Sequence, residues 1–252
     1  MQASPHWTNK VPAVTVAFWL IKILSTTVGE TGADFLAVNA GFGTLVTDSA
    51  MALFLAGALG LQLTAHRHVP WIYWLTVVLV SVVGTQITDL LTDGLGVSLY
   101  LSTAVFAVLL VFIFAIWYRK EGTLSIKDIT TLPRELFYWA AILCTFALGT
   151  AAGDLTTEAL GLGFQWGVFV FGLLIALTAI AWQLGVNAVL TFWVAYILTR
   201  PLGAALGDLL SQSTHYGGLG LGAMLTSALF LLVIVALVVM AQRQAMRADP
   251  AH

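Results

Sequence analysis

Seven carboxylates stand on four repeated, otherwise apolar segments of this chain: Glu30, Asp34, Asp89, Asp93, Asp154, Glu158 and Asp208. A charge at mid-membrane costs roughly 2.5–3.5 kcal/mol on insertion scales, so acids kept in such stretches need a reason. Four of them follow one pattern. The segments that open with Phe18-Trp19, Tyr73-Trp74, Tyr138-Trp139 and Phe192-Trp193 all continue with nine residues, a Gly, four residues and an Asp. The aspartates are Asp34, Asp89, Asp154 and Asp208. Three copies carry a second acid four residues away: Glu30 with Asp34, Asp89 with Asp93, Asp154 with Glu158. The fourth has Gln212 in that place beside Asp208. Residues four apart share a helix face, where like charges repel. Each Asp also falls near the C-terminal, electronegative end of its helix.

The bases in the same segments are Lys22 and Arg200. Lys22 stands two turns before Glu30, and Arg200 two turns before Asp208, so both are read as counter-charges within or across helices. Two bases leave five of the seven acids uncompensated. If those acids converge, they are protonated, hold a cation, or are wetted from outside. Nearby oxygen donors are Thr26, Thr27, Thr31, Thr85, Thr88, Thr150, Gln86 and backbone carbonyls. Such ligands suit Mg²⁺, Mn²⁺, Ca²⁺, Na⁺ or protons, with Asp34, Asp89, Asp154 and Asp208 as the metal ligands and Glu30, Asp93 and Glu158 as auxiliary acids. Soft metals fit poorly, because Cys144 is the lone cysteine and no His lies in a motif segment. A lone Cys also leaves no disulfide within the chain. His66 and His68, flanking Arg67, and His215 are read as ordinary loop residues.

The elements that must position these groups are hydrophobic helices. Of 252 residues, 60% are hydrophobic and only 9% are charged, against about 25% charged in a soluble domain. The expected fold is all-α: a polytopic membrane bundle forming one domain over 1–252, with no separate soluble domain. Eight transmembrane helices are expected over about 12–36, 44–64, 70–92, 97–118, 134–158, 165–183, 187–211 and 219–241. The first apolar run is too long, and too charged, for a signal peptide. Lys10, Arg67, Arg119, Lys120, Lys127, Arg134, Arg243 and Arg247 all fall at one set of helix ends, which the positive-inside rule makes cytoplasmic together with both termini. The expected location is a bacterial inner membrane.

The motif returns at every odd-numbered helix, each followed by a Gly-containing turn (Gly41/Gly43, Gly94/Gly96, Gly161/Gly163, Gly217/Gly218) and a plain apolar helix. The chain therefore reads as four parallel two-helix repeats over about 12–64, 70–118, 134–183 and 187–241. Parallel repeats imply an axis along the membrane normal, with motif helices inside and plain helices facing lipid. Gly29, Gly84, Gly149 and Gly203 are read as close-packing points between helices. Trp19, Trp74, Trp139 and Trp193 are read as interfacial belt anchors.

These residues resemble a known family. The run from Lys22 through Gly29-Glu30-Thr31 to Asp34, with the repeated aromatic-Trp, Gly and Asp hairpins, is similar to a family of bacterial integral membrane proteins. That family is built from short repeats of unknown function and is often labelled uncharacterised membrane-anchored protein. The resemblance covers nearly the whole chain and implies a polytopic inner-membrane protein with four repeats. It implies no activity or site residues.

No P-loop, nucleophile elbow, zinc-protease motif or dinucleotide fingerprint is present. The chain is expected to be no enzyme, to need no cofactor, and to meet membrane lipid and an inorganic cation or proton rather than nucleic acid. The leading expectation is a cation transporter using the ring of repeat aspartates. A non-transporting membrane scaffold with structural ion pairs is the second expectation. An intramembrane enzyme on a lipid or quinone, with Glu30 and Asp34 as acid and base, is the third.

Overall fold

A computed structural model describes residues 9–38 and 43–248. The turn expected at Gly41/Gly43 is therefore only partly seen, since Gly41 lies outside the described residues. The described residues form eight long helices and no strand: α1 Val16–Val38, α2 Thr44–Thr64, α3 Pro70–Asp89, α4 Leu99–Glu121, α5 Leu132–Asp154, α6 Phe164–Gln183, α7 Ala188–Ser211 and α8 Ala223–Ala248. Seven of them are long and apolar enough to cross a membrane; α1 is the exception, and it carries Lys22, Glu30 and Asp34.

Local chemistry sets the ends. Asn187 caps α7, its Oδ1 accepting from the amides of Val189 at 2.9 Å and Leu190 at 3.1 Å. Ser98 and Thr131 cap α4 and α5 in the same way. Gly122, at φ 70°, closes α4 in the left-handed conformation that only glycine adopts cheaply. At their far ends α3 and α5 widen into π turns, Leu90–Gly94 and Leu155–Ala159.

The helices form two shells. The inner ring is α1, α3, α5 and α7, with α1 on α3, α3 on α5, α5 on α7, and α7 back on α1. The motif glycines are the seams. A Cβ on Gly29 would overlap Ser81, one on Gly84 would overlap Phe146, one on Gly149 Arg200, and one on Gly203 Thr26. In each case the glycine, eleven residues after the motif aromatic, meets the residue eight after it on the next helix round. That equal register at all four seams is how one short pattern builds a ring.

The outer shell is offset by one step. α2 packs chiefly on α3, α4 on α5, α6 on α7, and α8 on α1, so each plain helix lies against the motif helix that follows it. The outer helices expose large apolar side chains such as Leu53, Val108, Phe169 and Leu232, a surface suited to lipid rather than water.

The motif tryptophans are not belt anchors. Trp74, Trp139 and Trp193 are 3%, 6% and 4% exposed, and Trp19 is half-buried. They pack edge-on and tilted with Phe18, Tyr73, Tyr138, Phe192 and Tyr196. Inner helices are wrapped by the outer shell, so an aromatic there meets helices before it meets lipid headgroups.

Candidate functional site: an acidic cluster closed by one arginine

Successive i+4 positions on the four inner helices line one face. Counting from the motif aromatic, the rows read Phe18, Tyr73, Tyr138, Phe192; then Lys22, Val77, Ile142, Tyr196; then Thr26, Ser81, Phe146, Arg200; then Glu30, Thr85, Thr150, Ala204; then Asp34, Asp89, Asp154, Asp208. The second and third rows are fully buried, with every member at 0% exposure. The fifth row is the acidic end of the ring.

There the carboxylates converge. One oxygen each of Glu30, Asp154 and Asp208, from α1, α5 and α7, all lie within 4.8 Å of one another. Asp34 interacts electrostatically with Glu30, Glu158 and Asp93, and Asp89 with Glu30, Asp34 and Asp93. Glu30, Asp154 and Asp208 thus converge, and the other four acids singled out in the sequence lie at the same end of the bundle. Glu30 and Asp208 are buried, Asp34, Asp89 and Asp154 half-buried, and Asp93 and Glu158 exposed. The last two ride on the π turns that follow Asp89 and Asp154. Wide turns of this kind occur preferentially at functional sites.

One base closes the cluster from below. Arg200 is wholly buried. Its Nη2 donates to Glu30 Oε2 at 2.8 Å, to Thr150 Oγ1 at 2.7 Å and to Thr85 Oγ1. Its Nη1 donates to the Thr26 carbonyl at 3.3 Å. One guanidinium from α7 thereby ties α1, α3 and α5 together. Gly149 makes room for it, since any Cβ there would strike the Arg200 stem. Thr85 and Thr150 donate their own protons back to Ser81 and Phe146 carbonyls one turn earlier, which leaves their lone pairs for arginine. These hydroxyls, read from sequence as neighbours of a cation, serve Arg200 instead. Thr26, Thr27, Thr31 and Thr88 likewise donate to backbone carbonyls.

Lys22 departs from its expected role. Its Nζ has no hydrogen-bond partner and lies over the rings of Phe146, 4.0 Å from the centroid, and Tyr196, at 4.2 Å. The reason is distance: Glu30 is eight residues further along α1, about 12 Å at helical rise, beyond the reach of a lysine. Arg200 succeeds because Glu30, on the neighbouring helix, stands only one row above it.

The opposite, basic end holds groups that the sequence pattern did not flag. Lys10 Nζ donates to Glu135 Oε2 at 2.6 Å and to the Leu63 carbonyl at 3.1 Å. Gln62 donates to Glu135 Oε1 at 3.1 Å. Lys10, Gln62 and Glu135 are each 1% exposed. Above them the Tyr73 and Tyr138 hydroxyls share a 2.6 Å hydrogen bond. The only sequence signal for that pair is Tyr in place of Phe at the first motif position in repeats two and three. His68 Nδ1 meets the Lys10 carbonyl at 3.0 Å, and His66 and His215 are exposed.

A helical bundle with seven long apolar helices fits a multi-pass membrane protein, here with Lys22, Glu30, Arg200 and Asp208 buried inside it. Its repeats have a family. The family described as Repeat of Unknown Function (DUF347) matches residues 17–68, 72–123, 137–184 and 191–246, and the chain belongs to it. No curated protein and no solved structure matches the chain.

Proposed function

We propose that this protein is an integral membrane transporter of an inorganic cation, with Mn²⁺ or Mg²⁺ as the substrate class, and not an enzyme. All eight long helices cross the bilayer as four hairpins inserted in the same direction. α1 joins them despite its charges because the ring buries Lys22 and Glu30. The basic loops and both termini face the cytoplasm of a bacterial cell, and the acidic end faces outward.

The observation that carries this reading is the meeting of Glu30, Asp154 and Asp208 oxygens within 4.8 Å, from three different helices. Oxygen–metal distances of about 2.0–2.6 Å put two ligands on one hard cation no more than about 5 Å apart. Asp34 and Asp89 stand beside them for exchange, and Asp93 and Glu158 form a negative mouth that gathers cations. Arg200 neutralises one acid and leaves the rest for a divalent charge.

The test is flux into sealed liposomes carrying purified protein, offered Mn²⁺, Mg²⁺, Ca²⁺, Zn²⁺ and Na⁺ in turn. Asp154→Asn and Asp208→Asn should each lower flux of the substrate ion more than tenfold in protein that elutes and melts as wild type. Flux unchanged when Asp34, Asp89, Asp154 and Asp208 are all Asn would end the proposal. The buried Arg200–Glu30 pair favours one rival, a scaffold held by ion pairs. That rival expects the same variants to lose thermal stability and wild type to move no ion.

A further inference from the structure

Below the acidic cluster the axis contains an unusual set of side chains. Lys22 Nζ, Ser25 Oγ, Ser81 Oγ, Tyr196 OH and Arg200 Nε have no hydrogen-bond partner, and all five residues are 0% exposed. They come from α1, α3 and α7 and fall between the second and third rows of the ring. Buried polar groups are nearly always satisfied, and each exception asks for an explanation. Five within about one and a half helical turns point to a shared partner, and internal water, which needs two to four polar neighbours, is the partner such groups accept.

The groups below continue the line. The Tyr196 hydroxyl stands beside that of Tyr138. Tyr138 and Tyr73 are bonded to each other. The Tyr73 ring meets His68 edge-on, with centroids 5.7 Å apart, at the loop before α3. Only one group on this line is an amine. Lys22 faces Arg200 and Tyr196 from α7 and the Phe146 ring from α5. At its row α3 and α5 carry only Val77 and Ile142. Among the described residues no carboxylate pairs with it.

We propose that this column is a water-lined proton path joining the outer side of the bundle to the cytoplasmic face, with Lys22 as its obligatory relay. A proton entering from the outer side passes through water held by Ser81 and Ser25 to the Lys22 amine, forming the ammonium. The ammonium returns it to the Tyr196, Tyr138 and Tyr73 hydroxyls, each taking one proton and releasing another, and His68 delivers it to the cytoplasm. One proton enters, one leaves, and Lys22 is restored. The path rests on the transporter reading for its coupling: the proton crosses in exchange for the cation. The aromatic rings under Lys22 hold the charged form while it waits.

The experiment uses the full chain in liposomes containing a trapped pH dye, with a valinomycin-set K⁺ potential driving protons inward and no transition metal present. Wild type should acidify the lumen well above protein-free vesicles. Lys22→Met should cut that rate at least tenfold while melting no lower than wild type, because the loss of an uncompensated amine removes no ion pair. Tyr196→Phe, which keeps the ring and deletes only the hydroxyl, should slow it several-fold and guards against a misfolded lysine variant. Wild-type acidification equal to empty vesicles overturns the path, as does an undiminished rate in both variants. Cation flux in the same vesicles is scored separately. Lys22-dependent proton flux without cation flux upholds the path and discards the transporter; cation flux without proton flux does the reverse.

Discussion

At the scale of single residues, Arg200 and Glu30 form a buried ion pair at the acidic end, with side-chain exposures of 0% and 7%. Removing one partner from a buried pair strands the other, at about 3–5 kcal/mol, whereas replacing both by apolar residues is often close to neutral. Arg200→Met should therefore lower the melting temperature in detergent sharply, and Arg200→Met with Glu30→Met should recover most of it. Failure of the double variant to recover would mean that the Thr85 and Thr150 bonds, not the ion pair, carry the stability. His68 supplies one pH dependence. Burial of its ring holds it below the ordinary imidazole range, outweighing the opposite effect of the Lys10 carbonyl. The unfolded chain then binds a proton from about pH 6.5 downward while the folded one does not, so stability falls as pH drops through that region. His68→Gln should narrow the difference in melting temperature between pH 7.5 and pH 5.5; an unchanged difference would place the titration elsewhere. The acids at this scale were legible in sequence, because four aspartates at fixed spacing cannot be accidental. Their partners were not. Glu30 meets Arg200 rather than Lys22 because of which row of the neighbouring helix lies alongside, a fact of packing that no spacing within one helix encodes.

At the scale of elements, the ring is held by four glycine seams of one design, and the seams differ in what the added carbon would strike. Gly149 faces the Arg200 stem and Pro201, both fixed inside the bundle, so Gly149→Ala should destabilise by about 1–3 kcal/mol as an overpacked core does. It should also displace the guanidinium from Glu30. Gly57, on α2, has open space where a Cβ would go, with nothing within 4 Å, and there alanine should be neutral or slightly stabilising from helix propensity alone. Equal melting temperatures for the two variants would refute the seam. Most helix ends were readable from Gly, Pro and Asn punctuation, and α2 runs over 44–64 as expected. Two features were not. The π turns after Asp89 and Asp154 run through Leu-Leu-Thr-Asp-Gly and Leu-Thr-Thr-Glu-Ala, and nothing in residue type announces a widened turn. The tryptophans sit near helix ends, as belt residues do, but the outer shell covers them. Position along a helix was legible from the residue pattern, while the neighbours that wrap it were not.

At the scale of the whole molecule, the offset between shells decides what can be cut. Each plain helix leans on the motif helix of the next repeat, so no hairpin is a self-contained unit. The chain closes when α8 packs on α1. Removing repeat four would expose one side of α1, strip Glu30 of Arg200, and leave a buried acid without its base. A chain ending at residue 186 should therefore fail to yield a stable species in detergent, and supplying 187–252 as a second polypeptide should restore one. A cut in the loop between α4 and α5 gives the complementary result. The halves should assemble through α4 on α5, α1 on α7 and α8 on α1, with Lys10 of one half bonded to Glu135 of the other. Co-expressed halves, tagged on one only, should co-purify as a one-to-one complex with near-native melting. Two halves that instead fold and run as separate monomers would show that the repeats are independent hairpins. The common axis would then lose its structural basis, and with it the single carboxylate site that four repeats are needed to build.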